Sequence, residues 1–435
     1  MKIAILGFGL QGKSSLKYYR GPDNEITICD QNQPTDVPDE VEVVVGDNYL
    51  SNLDYYDLII RSPAIHPKDI VAANGYGILK KVSSNTNEFL RTCPSKNVIG
   101  VTGTKGKGTT STLITKMLEA NGKRVHLGGN IGVPPLDLLD SDITEQDWVV
   151  LELANFQLID LKYSPHISLC LMVEPEHLDW HIDVDEYYEA KTLLFRTQSP
   201  KDIAVYFADN ENSVRIAFTG AAKKIPYFKA PGAMVAGNHI VIDGEPVIRL
   251  SELKMIGRHN YQNACAAVTA VWQICPDVGP IAQVLRDFSG LPFRLEFRQQ
   301  VDDISFFNDS YASAPAATIA AISAIKSPKV LIIGGKDRGL DLNDLVEAII
   351  ENQETIKDIV LIGESANRVS EELTNASYDN FTVNESTDIK DIVIQAKSMA
   401  TAGDSVVLSP GFPSFDMFKN FEDRGLKFND AVSSL

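Results

Sequence analysis

The segment from Val98 to Thr110 reads VIGVTGTKGKGTT, and its order of residue types predicts an α/β fold. Val98–Val101 is a short apolar, β-branched run of the kind that forms a buried strand. A glycine-rich loop follows it, and we expect a helix to begin near Thr109. The backbone amides of such a loop, together with Lys107, are placed to surround the β- and γ-phosphates of a nucleotide. A phosphate site is therefore favoured over a plain loop.

This loop departs from the usual phosphate-binding loop at two positions. Val101 stands where the first glycine is expected, and Gly108 stands where a magnesium-binding serine or threonine would follow the lysine. Thr109 is the candidate to supply the missing hydroxyl, and a water molecule is the alternative.

A second glycine pattern lies near the start of the chain. Gly7–Gly12 reads GFGLQG and follows a predicted strand at Lys2–Leu6, and Asp30 ends the next predicted strand, Glu25–Cys29. In this context the pattern matches a dinucleotide fingerprint. Glycines let the backbone approach a diphosphate at a helix N-terminus, so a UDP group fits as well as NAD. A tight turn without a ligand is the alternative interpretation.

The alternation of strands and helices predicts three α/β domains in series. Polar, proline-containing stretches mark two boundaries, at Thr92–Lys96 and at Gly290–Arg294. We expect an N-terminal Rossmann-like domain at residues 1–94, a central P-loop ATPase-like α/β domain at 95–293 and a C-terminal Rossmann-like α/β domain at 294–435. Ligands are expected in the clefts between such domains.

The individual strands behind this prediction are short and apolar. They are predicted at Val41–Val45, Leu58–Arg61, Trp148–Leu153, Ile167–Val173, Ile304–Asn308, Val330–Gly334, Asp358–Ile362 and Ser405–Leu408, with an alanine-rich helix at His259–Ile274. The mixed short strands and turns of Val205–Leu250 indicate an insertion or an extension of the central sheet.

Composition excludes several classes of protein. The 435 residues are 44% hydrophobic and 23% charged, as in an ordinary globular protein, and the net charge of −18 disfavours binding to nucleic acid or anionic lipid. No apolar stretch approaches the roughly 20 residues that cross a bilayer, and the chain starts with a strand rather than a signal peptide, so we expect a cytoplasmic protein. The five cysteines have no paired spacing and are expected to be buried thiols.

Several motifs together resemble one family. Thr102–Lys107 is similar to the ATP loop of the Mur ligases, which relaxes the first glycine in the same way. Further motifs of that family follow in its order, at Gly129–Gly132, Glu152–Leu158, Glu176–Asp179, Ala190–Lys191, His259–Asn263, Gly290–Glu296 and Asn308–Ser310. The last block, Ser409–Asp416 with Phe418–Gly425, most resembles members that use D-glutamate. The resemblance spans nearly the whole chain.

This resemblance implies an ATP-dependent, amide-forming ligase with ATP and Mg²⁺ as cofactors. The implied substrates are UDP-N-acetylmuramoyl-L-alanine and D-glutamate, which are joined through an acyl phosphate in peptidoglycan precursor synthesis. Transfer of a phosphoryl group between negatively charged reactants needs cations around it. We expect a monomer with no nucleic-acid or membrane partner.

The resemblance also implies a set of catalytic and ATP-binding residues. Those with catalytic roles are Lys107, Glu152, His177 and Lys191. The implied metal ligands are Thr109, Glu152, His177 and Lys191 as its carbamate. The implied ATP contacts are Gly103, Thr104, Lys105, Gly106, Lys107, Gly108, Thr109, Asn260, Asn263, Arg294 and Asp309.

Each of these roles has an ordinary structural alternative. His177 is also compatible with a satisfied buried histidine. Lys191 with Glu186 and Glu189 is also compatible with a solvated, charged helix face, which residue pattern alone favours. Helix capping is the alternative for Asn260 and Asn263, which are three residues apart on one helix face. A structural ion pair is the alternative for Arg294 and Asp309.

The substrate residues are also carried over from the resemblance. The implied contacts to the UDP substrate are Leu10, Gln11, Asp30, Ser62 and Asn130. The implied amino-acid contacts are Ser313, Arg338, Ser414 and, through its backbone, Phe421. A dicarboxylate needs such cations and hydroxyl or amide donors.

The C-terminal motif departs from the family at one cation. Tyr311 occupies the place of a family lysine, and Ala314-Pro315 replaces the polar residue that follows. Lys336 is a candidate substitute for the lost cation.

Three other functions remain open on these residues. One is a Mur-type ligase with another amino acid or a folate-type acceptor, although the N-terminal fingerprint disfavours a folate ligase. The second is an NAD-dependent oxidoreductase, which would leave the loop at Thr102–Thr110 unexplained. The third is a non-catalytic nucleotide-binding protein, suggested by Gly108 and Tyr311.

Overall fold

The structure is a computed structural model that describes residues 1–178, 180–255 and 257–435. Asp179, which closes one of the motifs above, lies outside the described residues. Among the helices of the described part of the chain, none is long and apolar enough to cross a membrane.

The first sheet is parallel and five-stranded, in the order β3-β2-β1-β4-β5. Its strands are β1 (Lys2–Leu6), β2 (Glu25–Asp30), β3 (Glu42–Val45), β4 (Leu58–Arg61) and β5 (Val82–Ser84), and the helices are α1 (Leu10–Tyr19), α2 (Pro67–Asn74) and α3 (Asn85–Thr92). Strand order reverses between β1 and β4, so the loops after these two strands lie where α/β sheets bind ligands.

The second sheet is parallel and six-stranded, in the order β11-β10-β9-β6-β8-β7. Its strands are β6 (Val98–Thr102), β7 (Val125–Gly129), β8 (Trp148–Glu152), β9 (Ile167–Cys170), β10 (Ile203–Phe207) and β11 (Lys223–Tyr227). The helices of this part are α4 (Lys107–Ala120), α5 (Asn155–Leu158), α6 (Val184–Arg196), α7 (Glu211–Ala217), α8 (Arg258–Trp272) and α9 (Val278–Asp287). All five residues of β6 are buried, as expected for an apolar strand covered on both faces.

The region at Val205–Leu250 contains both features that the sequence suggests. Strands β10 and β11 extend the second sheet. A separate antiparallel sheet then follows, with strands β12 (Met234–Ala236), β13 (His239–Ile242) and β14 (Glu245–Arg249).

The third sheet is six-stranded, in the order β15-β16-β20-β17-β18-β19, and only the β15–β16 pair is antiparallel. Its strands are β15 (Glu296–Val301), β16 (Ile304–Asn308), β17 (Lys329–Gly334), β18 (Ile356–Ile362), β19 (Phe381–Val383) and β20 (Ser405–Leu408). Its helices are α10 (Pro315–Ala324), α11 (Asn343–Glu351), α12 (Ala366–Asn375), α13 (Ile389–Met399) and α14 (Phe421–Ser433). Separate apolar clusters cover its two faces.

The chain divides into two compact units: one contains Met1–Lys254 and Arg258–Phe288, and the other contains Ser289–Leu435 with Met255 and Gly257. The first and second sheets belong to one unit, and the third sheet belongs to the other. The three-domain boundaries at 94 and 293 stay predictions, because this division does not test them.

The prediction of buried thiols is right for four of the five cysteines. Cys29, Cys93, Cys170 and Cys265 are buried, but Cys275 is only partly buried. Cys275 lies beyond Trp272, the last residue of α8, and is therefore outside the buried face of that helix.

Candidate functional site

The loop after β6 is held from beneath by its own threonines. The Thr104 hydroxyl contacts the Glu174 carbonyl at 2.9 Å and the Tyr187 hydroxyl at 2.7 Å, and Thr102 donates to the Leu153 carbonyl at 2.9 Å. The Lys107 ammonium donates to the carbonyls of Gly103 and Thr104, each at 3.0 Å. The lysine therefore lies along the loop, with its charge next to the space that phosphates would occupy.

Helix α4 begins at Lys107, two residues earlier than predicted. Gly106, immediately before it, has a φ of 87°, which a residue with a side chain rarely adopts. A Cβ there would also lie 2.2 Å from the Asn263 side-chain oxygen. Asn263 donates to Asn260 at 3.3 Å, so the two predicted ATP contacts lie together against the glycine loop.

Glu152 ends β8 beside this loop and is only 4% exposed. Its Oε1 accepts a hydrogen bond from the Asn130 side chain at 2.8 Å, and the Asn130 backbone N–H donates to the Glu152 carbonyl at 2.8 Å. An amide offsets a buried negative charge only in part. The buried carboxylate is therefore a candidate to hold a divalent cation, and Asn130, a predicted contact of the UDP substrate, lies against it.

Lys191 is buried against the same loop and is not part of a solvated charged face. It is 1% exposed, and its Nζ lies 3.4 Å from the Gly103 carbonyl and 4.5 Å from the centre of the Tyr187 ring. Burial, with the charge of Lys107, lowers the pKa of the Lys191 ammonium from 10.5 to about 7. The charged-face alternative is wrong for this residue, although it holds for Glu189, which is exposed.

His177 lies in the loop that follows β9 and is not a buried core histidine. Its side chain is 40% exposed, its φ is 58°, and its ring packs against Phe156 at 4.8 Å. Its Nε2 lies 3.6 Å from the Glu176 carboxylate, and the partly exposed ring on a strained backbone is accessible to a ligand.

Hydroxyl groups are present in the first turn of α4, although position 108 lacks one. Thr109 is partly exposed. Within the described residues, the hydroxyls of Thr110 and Ser111 are buried and have no hydrogen-bond partner. The sequence indicated Thr109 alone.

The loops after β1 and β4 approach each other at the edge of the first sheet. A Cβ on Gly7 would lie 2.8 Å from that of Ser62, and one on Gly12 would lie 2.2 Å from the Gly7 carbonyl, so both glycines permit close packing. Asp30 accepts hydrogen bonds from the backbone N–H of Phe8 at 2.8 Å and of Asn32 at 3.0 Å. Asp30 therefore stabilises the backbone of this loop, in addition to being a predicted contact of the UDP substrate.

Two other predicted UDP contacts also lie at this edge. Leu10 is 67% exposed at the start of α1. Gln11 Oε1 is buried and has no partner within the described residues, so it can accept a hydrogen bond from a ligand.

The second unit holds Asp309 at the end of β16. Its carboxylate accepts from the Leu295 N–H at 2.9 Å and from the Ser409 hydroxyl at 2.7 Å. Burial raises the pKa of Asp309 from 3.8 to about 6. The Arg294 guanidinium instead lies 3.7 Å over the Tyr311 ring, so these contacts do not support the alternative of a simple Arg294–Asp309 ion pair.

The predicted amino-acid residues differ in exposure. Ser414 is 2% exposed, and its hydroxyl has no hydrogen-bond partner within the described part of the chain. Phe421 is the first residue of α14, where a backbone N–H has no intrahelical acceptor. Ser313 and Arg338 are both exposed.

The suggestion that Lys336 replaces the lost cation is not supported by its contacts. Its ammonium is paired with the Glu364 carboxylate, so its charge is already offset.

Sequence reasoning missed two buried arginines that shape these loops. Arg61 is fully buried and makes two bonds to Asp160, at 2.9 and 2.8 Å. Arg424 is 1% exposed and bonds the Ser310 hydroxyl, the Ser310 carbonyl and the Phe412 carbonyl. Arg61 ends the apolar run Leu58–Arg61 and Arg424 follows two acidic residues, so the pattern around them did not indicate either set of bonds.

Two family descriptions match the chain: "Mur ligase middle domain" over residues 101–271 and "Mur ligase, glutamate ligase domain" over residues 293–412. A UDP-N-acetylmuramoylalanine--D-glutamate ligase from Clostridium kluyveri is 33% identical, covering 100% of this chain and 97% of the relative. Another, from Acetivibrio thermocellus, is 34% identical and covers 100% and 96%.

A solved structure supports the fold. The UDP-N-acetylmuramate-alanine ligase of Thermotoga maritima superimposes with a TM-score of 0.61 at 16% identity, covering 100% of this chain and 99% of the other. The predicted α/β fold class and the predicted ligase class are confirmed by these comparisons. The match over the full length at more than 30% identity shows that the chain belongs to the Mur ligase family.

Proposed function

We propose that the protein is an ATP-dependent ligase that adds D-glutamate to UDP-N-acetylmuramoyl-L-alanine in the cytoplasm, with release of ADP and phosphate. The observation that carries this proposal is the similarity, over the whole chain, to relatives that bear this activity in their names. The contacts around the loop after β6 support the phosphoryl-transfer half of the reaction.

In the first step the acceptor carboxylate attacks the γ-phosphorus of ATP. A new oxygen–phosphorus bond forms, the bond to the β-phosphate oxygen breaks, and ADP leaves with its electron pair. Lys107 and the amides at the start of α4 offset the charge of the phosphates during this transfer. Gly103 and Gly106 let the backbone approach the phosphates closely.

The residues around this loop fit Mg²⁺. Glu152 supplies a buried carboxylate, His177 an accessible imidazole and Thr109 a hydroxyl. A bound Mg²⁺ would offset negative charge on the phosphates and the acceptor carboxylate. Asn130 orients the Glu152 carboxylate for this role.

We propose that Lys191 reacts with CO₂ to form a carbamate. Carbamate formation needs a neutral amine, and a pKa of about 7 makes much of Lys191 neutral near neutral pH. The amine nitrogen forms a bond to the carbon of CO₂, and one proton leaves to solvent. The product is an anion next to the phosphate loop, where a buried ammonium would be costly.

In the second step the amine of D-glutamate attacks the acyl phosphate carbon. The C–N bond forms, the C–O bond to phosphate breaks, and the amine loses a proton. Ser414 and the N–H of Phe421 are suited to a carboxylate of the amino acid, because a buried hydroxyl without a partner and a helix N-terminus both favour an anionic acceptor. Ser313 and Arg338 are the other two proposed contacts to the amino acid.

A second candidate is the same ligation with a different amino acid. Tyr311 with Arg294 stacked on it favours this candidate, because the pair replaces the expected lysine with a differently placed cation. In the first proposal Arg294 and Asp309 are retained as ATP contacts, and so are Asn260 and Asn263. In the second candidate Arg294 serves the amino acid instead.

The test is phosphate release from ATP and Mg²⁺ with UDP-N-acetylmuramoyl-L-alanine and a panel of amino acids. Turnover with D-glutamate, and not with L-glutamate or the other amino acids, is expected. Turnover with another amino acid only would change the assigned substrate but not the family.

Two further proposals can be tested with the same preparation. Light scattering would test the proposed monomer, and limited proteolysis would test the proposed domain boundaries at 94 and 293.

A further inference from the structure

The end of β4 and the loop that follows it are hydrogen-bonded to segments around the second sheet. We call Ser62–His66 the acceptor loop, since Ser62 is the proposed contact to the UDP substrate. Arg61, immediately before it, donates to the Ser62 and Ile65 carbonyls and also to the Phe156 carbonyl in α5 at 2.9 Å. The Trp180 indole N–H donates to the Ala64 carbonyl at 3.2 Å.

His66, at the end of the acceptor loop, has a defined hydrogen-bonding state. It is 4% exposed and caps α2, because its Nδ1 accepts the Lys68 N–H at 3.0 Å. Its Nε2 lies 3.0 Å from Oε2 of Glu186, in α6. Since Nδ1 accepts, Nε2 of the neutral ring carries the proton and donates it to Glu186.

The same Glu186 oxygen receives two more donors. It accepts the Ile182 N–H at 2.9 Å and lies 3.0 Å from Nδ1 of His181. The other ring nitrogen of His181 lies 2.7 Å from the Asn155 amide nitrogen, from which it accepts, so Nδ1 donates. Burial lowers the pKa of His181, which favours this neutral ring.

These hydrogen bonds account for the close grouping of the three side chains. His66, His181 and Glu186 place one potential metal-ligand atom each within 4.8 Å of the others. A metal ion would bind the two ring nitrogens that now donate protons to Glu186. Each ring would then carry its proton on its other nitrogen, which could no longer accept a hydrogen bond. The cap at Lys68 and the contact with Asn155 would then be lost. The group is therefore a hydrogen-bonded junction and not a metal site.

Helix α6 connects this junction to the ATP loop. Glu186 bonds the acceptor loop, and the next residue, Tyr187, contacts the Thr104 hydroxyl at 2.7 Å. One turn further, the Lys191 Nζ lies 3.4 Å from the Gly103 carbonyl. One helix thus contacts the proposed acceptor site at Glu186 and the proposed phosphate site at Tyr187 and Lys191.

We propose that Glu186 is a positioning residue for phosphoryl transfer, which holds the acceptor loop in register with the ATP loop through its bonds to His66 and His181. This inference rests on the proposed function. Attack on the γ-phosphorus needs the reacting atoms about 3–3.5 Å apart, and a shift of about 1 Å can lower the rate by about 10²-fold. Glu186 touches neither substrate and acts only through the two loops.

The test compares four variants with the wild type in steady-state kinetics. Glu186→Ala removes the junction, and Glu186→Gln keeps an oxygen that can accept the same three hydrogen bonds. His66→Asn keeps a favourable helix cap but is too short to reach Glu186. His166→Asn is the matched control, because it makes the same change of side chain at another histidine of the same unit that contacts a carboxylate, with its Nδ1 2.8 Å from Asp202.

For Glu186→Ala and His66→Asn, kcat/KM for the UDP substrate should fall about tenfold or more, with KM for ATP within about twofold. Glu186→Gln should retain most of the wild-type value, and His166→Asn should match the wild type. If Glu186→Ala does not fold, His66→Asn decides the question.

Two results would overturn the role of Glu186. One is a wild-type kcat/KM in both disruptive variants, and the other is an equal loss in His166→Asn, which would indicate a general effect of lost stability. Absence of turnover in the wild type with every amino acid tested would instead reject the proposed function, so the two failures are distinguishable.

Discussion

Two proposed charged residues of the first unit are buried, whereas the arginines proposed for the second unit's site are exposed. In the first unit, Lys191 and Glu152 are 1% and 4% exposed, and each contacts the backbone or side chains around the ATP loop. In the second unit, Arg294 and Arg338 are exposed, and so is Tyr311, at 42%. Buried charges are positioned by packing, whereas exposed ones can be exchanged at little cost in folding free energy. We therefore expect the first unit to control the rate and the second to control the choice of amino acid.

The largest effect is expected for Glu152→Gln. The glutamine keeps the shape and the hydrogen bond from Asn130 but loses the charge, so kcat should fall by roughly 10²-fold or more. The free energy of unfolding should be unchanged or higher, because a buried carboxylate is replaced by an amide. Phosphate release and thermal unfolding measure the two quantities. Turnover close to that of the wild type would show that Glu152 has a purely structural role.

Ser414→Ala tests whether the second unit also contains a prebuilt contact. Because the hydroxyl has no protein partner in the described chain, its loss should leave stability nearly unchanged. A hydrogen bond to a carboxylate contributes about 1.5–3 kcal/mol, so KM for D-glutamate should rise roughly 10- to 100-fold.

The control for Ser414 is Ser409→Ala. Ser409 is equally buried but donates to Asp309 at 2.7 Å, so this change should lower stability. The same loss of stability in both variants, with KM unchanged in Ser414→Ala, would argue against a ligand contact at Ser414.

The buried lysine makes stability depend on pH in one direction. Lys191 has a pKa of about 7 in the folded protein and an ordinary value of 10.5. Between these values the unfolded chain binds a proton that the folded chain does not, so stability rises with pH, by at most about 1.4 kcal/mol per pH unit.

Lys191→Met removes this dependence. The wild type should therefore gain stability relative to the variant between pH 7 and 10, in denaturant titrations without CO₂. A constant difference across this range would show that folding does not lower the pKa of Lys191.

The buried carboxylate of the second unit should act in the opposite direction. Asp309 has a folded pKa of about 6 and an ordinary value of 3.8. Its contribution to stability is present in full below about pH 4 and is lost as pH rises through 6. Relative to Asp309→Asn, the wild type should lose stability between pH 4 and 6, in the same titrations. A gain over this range would mean that a cation pairs with Asp309.

The smallest effect is expected for Tyr311→Ala. An exposed cation–π contact contributes about 0.5–1 kcal/mol, so loss of the Arg294 stacking should raise KM for the amino acid about two- to fivefold. Tyr311→Phe retains the ring and should match the wild type. An unchanged KM for the amino acid in Tyr311→Ala would show that Tyr311 does not contribute to amino-acid binding.

Much of the fold follows from local pattern. The bounds predicted for β1, β4, β16 and β20 agree with the structure, because short apolar strands between turn residues are easily recognised. Helix α4 begins two residues before its predicted start. Lys107 and Gly108 have the residue types of the glycine-rich loop, but their backbone is already helical. Boundaries are where local pattern is weakest.

Only part of the proposed site could be predicted from the sequence pattern. The motif around Lys191 indicated a role, but its charge pattern favoured a solvated face. The structure buries it because α6 packs through Tyr187 against the ATP loop. The pairing of Arg61 with Asp160, and of His66 with Glu186, had no sequence signal, since the partners lie 99 and 120 residues apart.

Periodicity and glycine placement were sufficient for the α/β class and the phosphate loop, because these depend on contacts between residues close in the chain. The family was indicated by the resemblance of motifs and by their order. Burial of Lys191 and Asp309, the missing partner of Ser414 and the junction at Glu186 depend on which distant segments pack together. Such packing changes the solvation of a charge, and with it its pKa and its chemistry. That change is invisible in a residue pattern, because the same lysine or glutamate is written identically whether water or protein surrounds it.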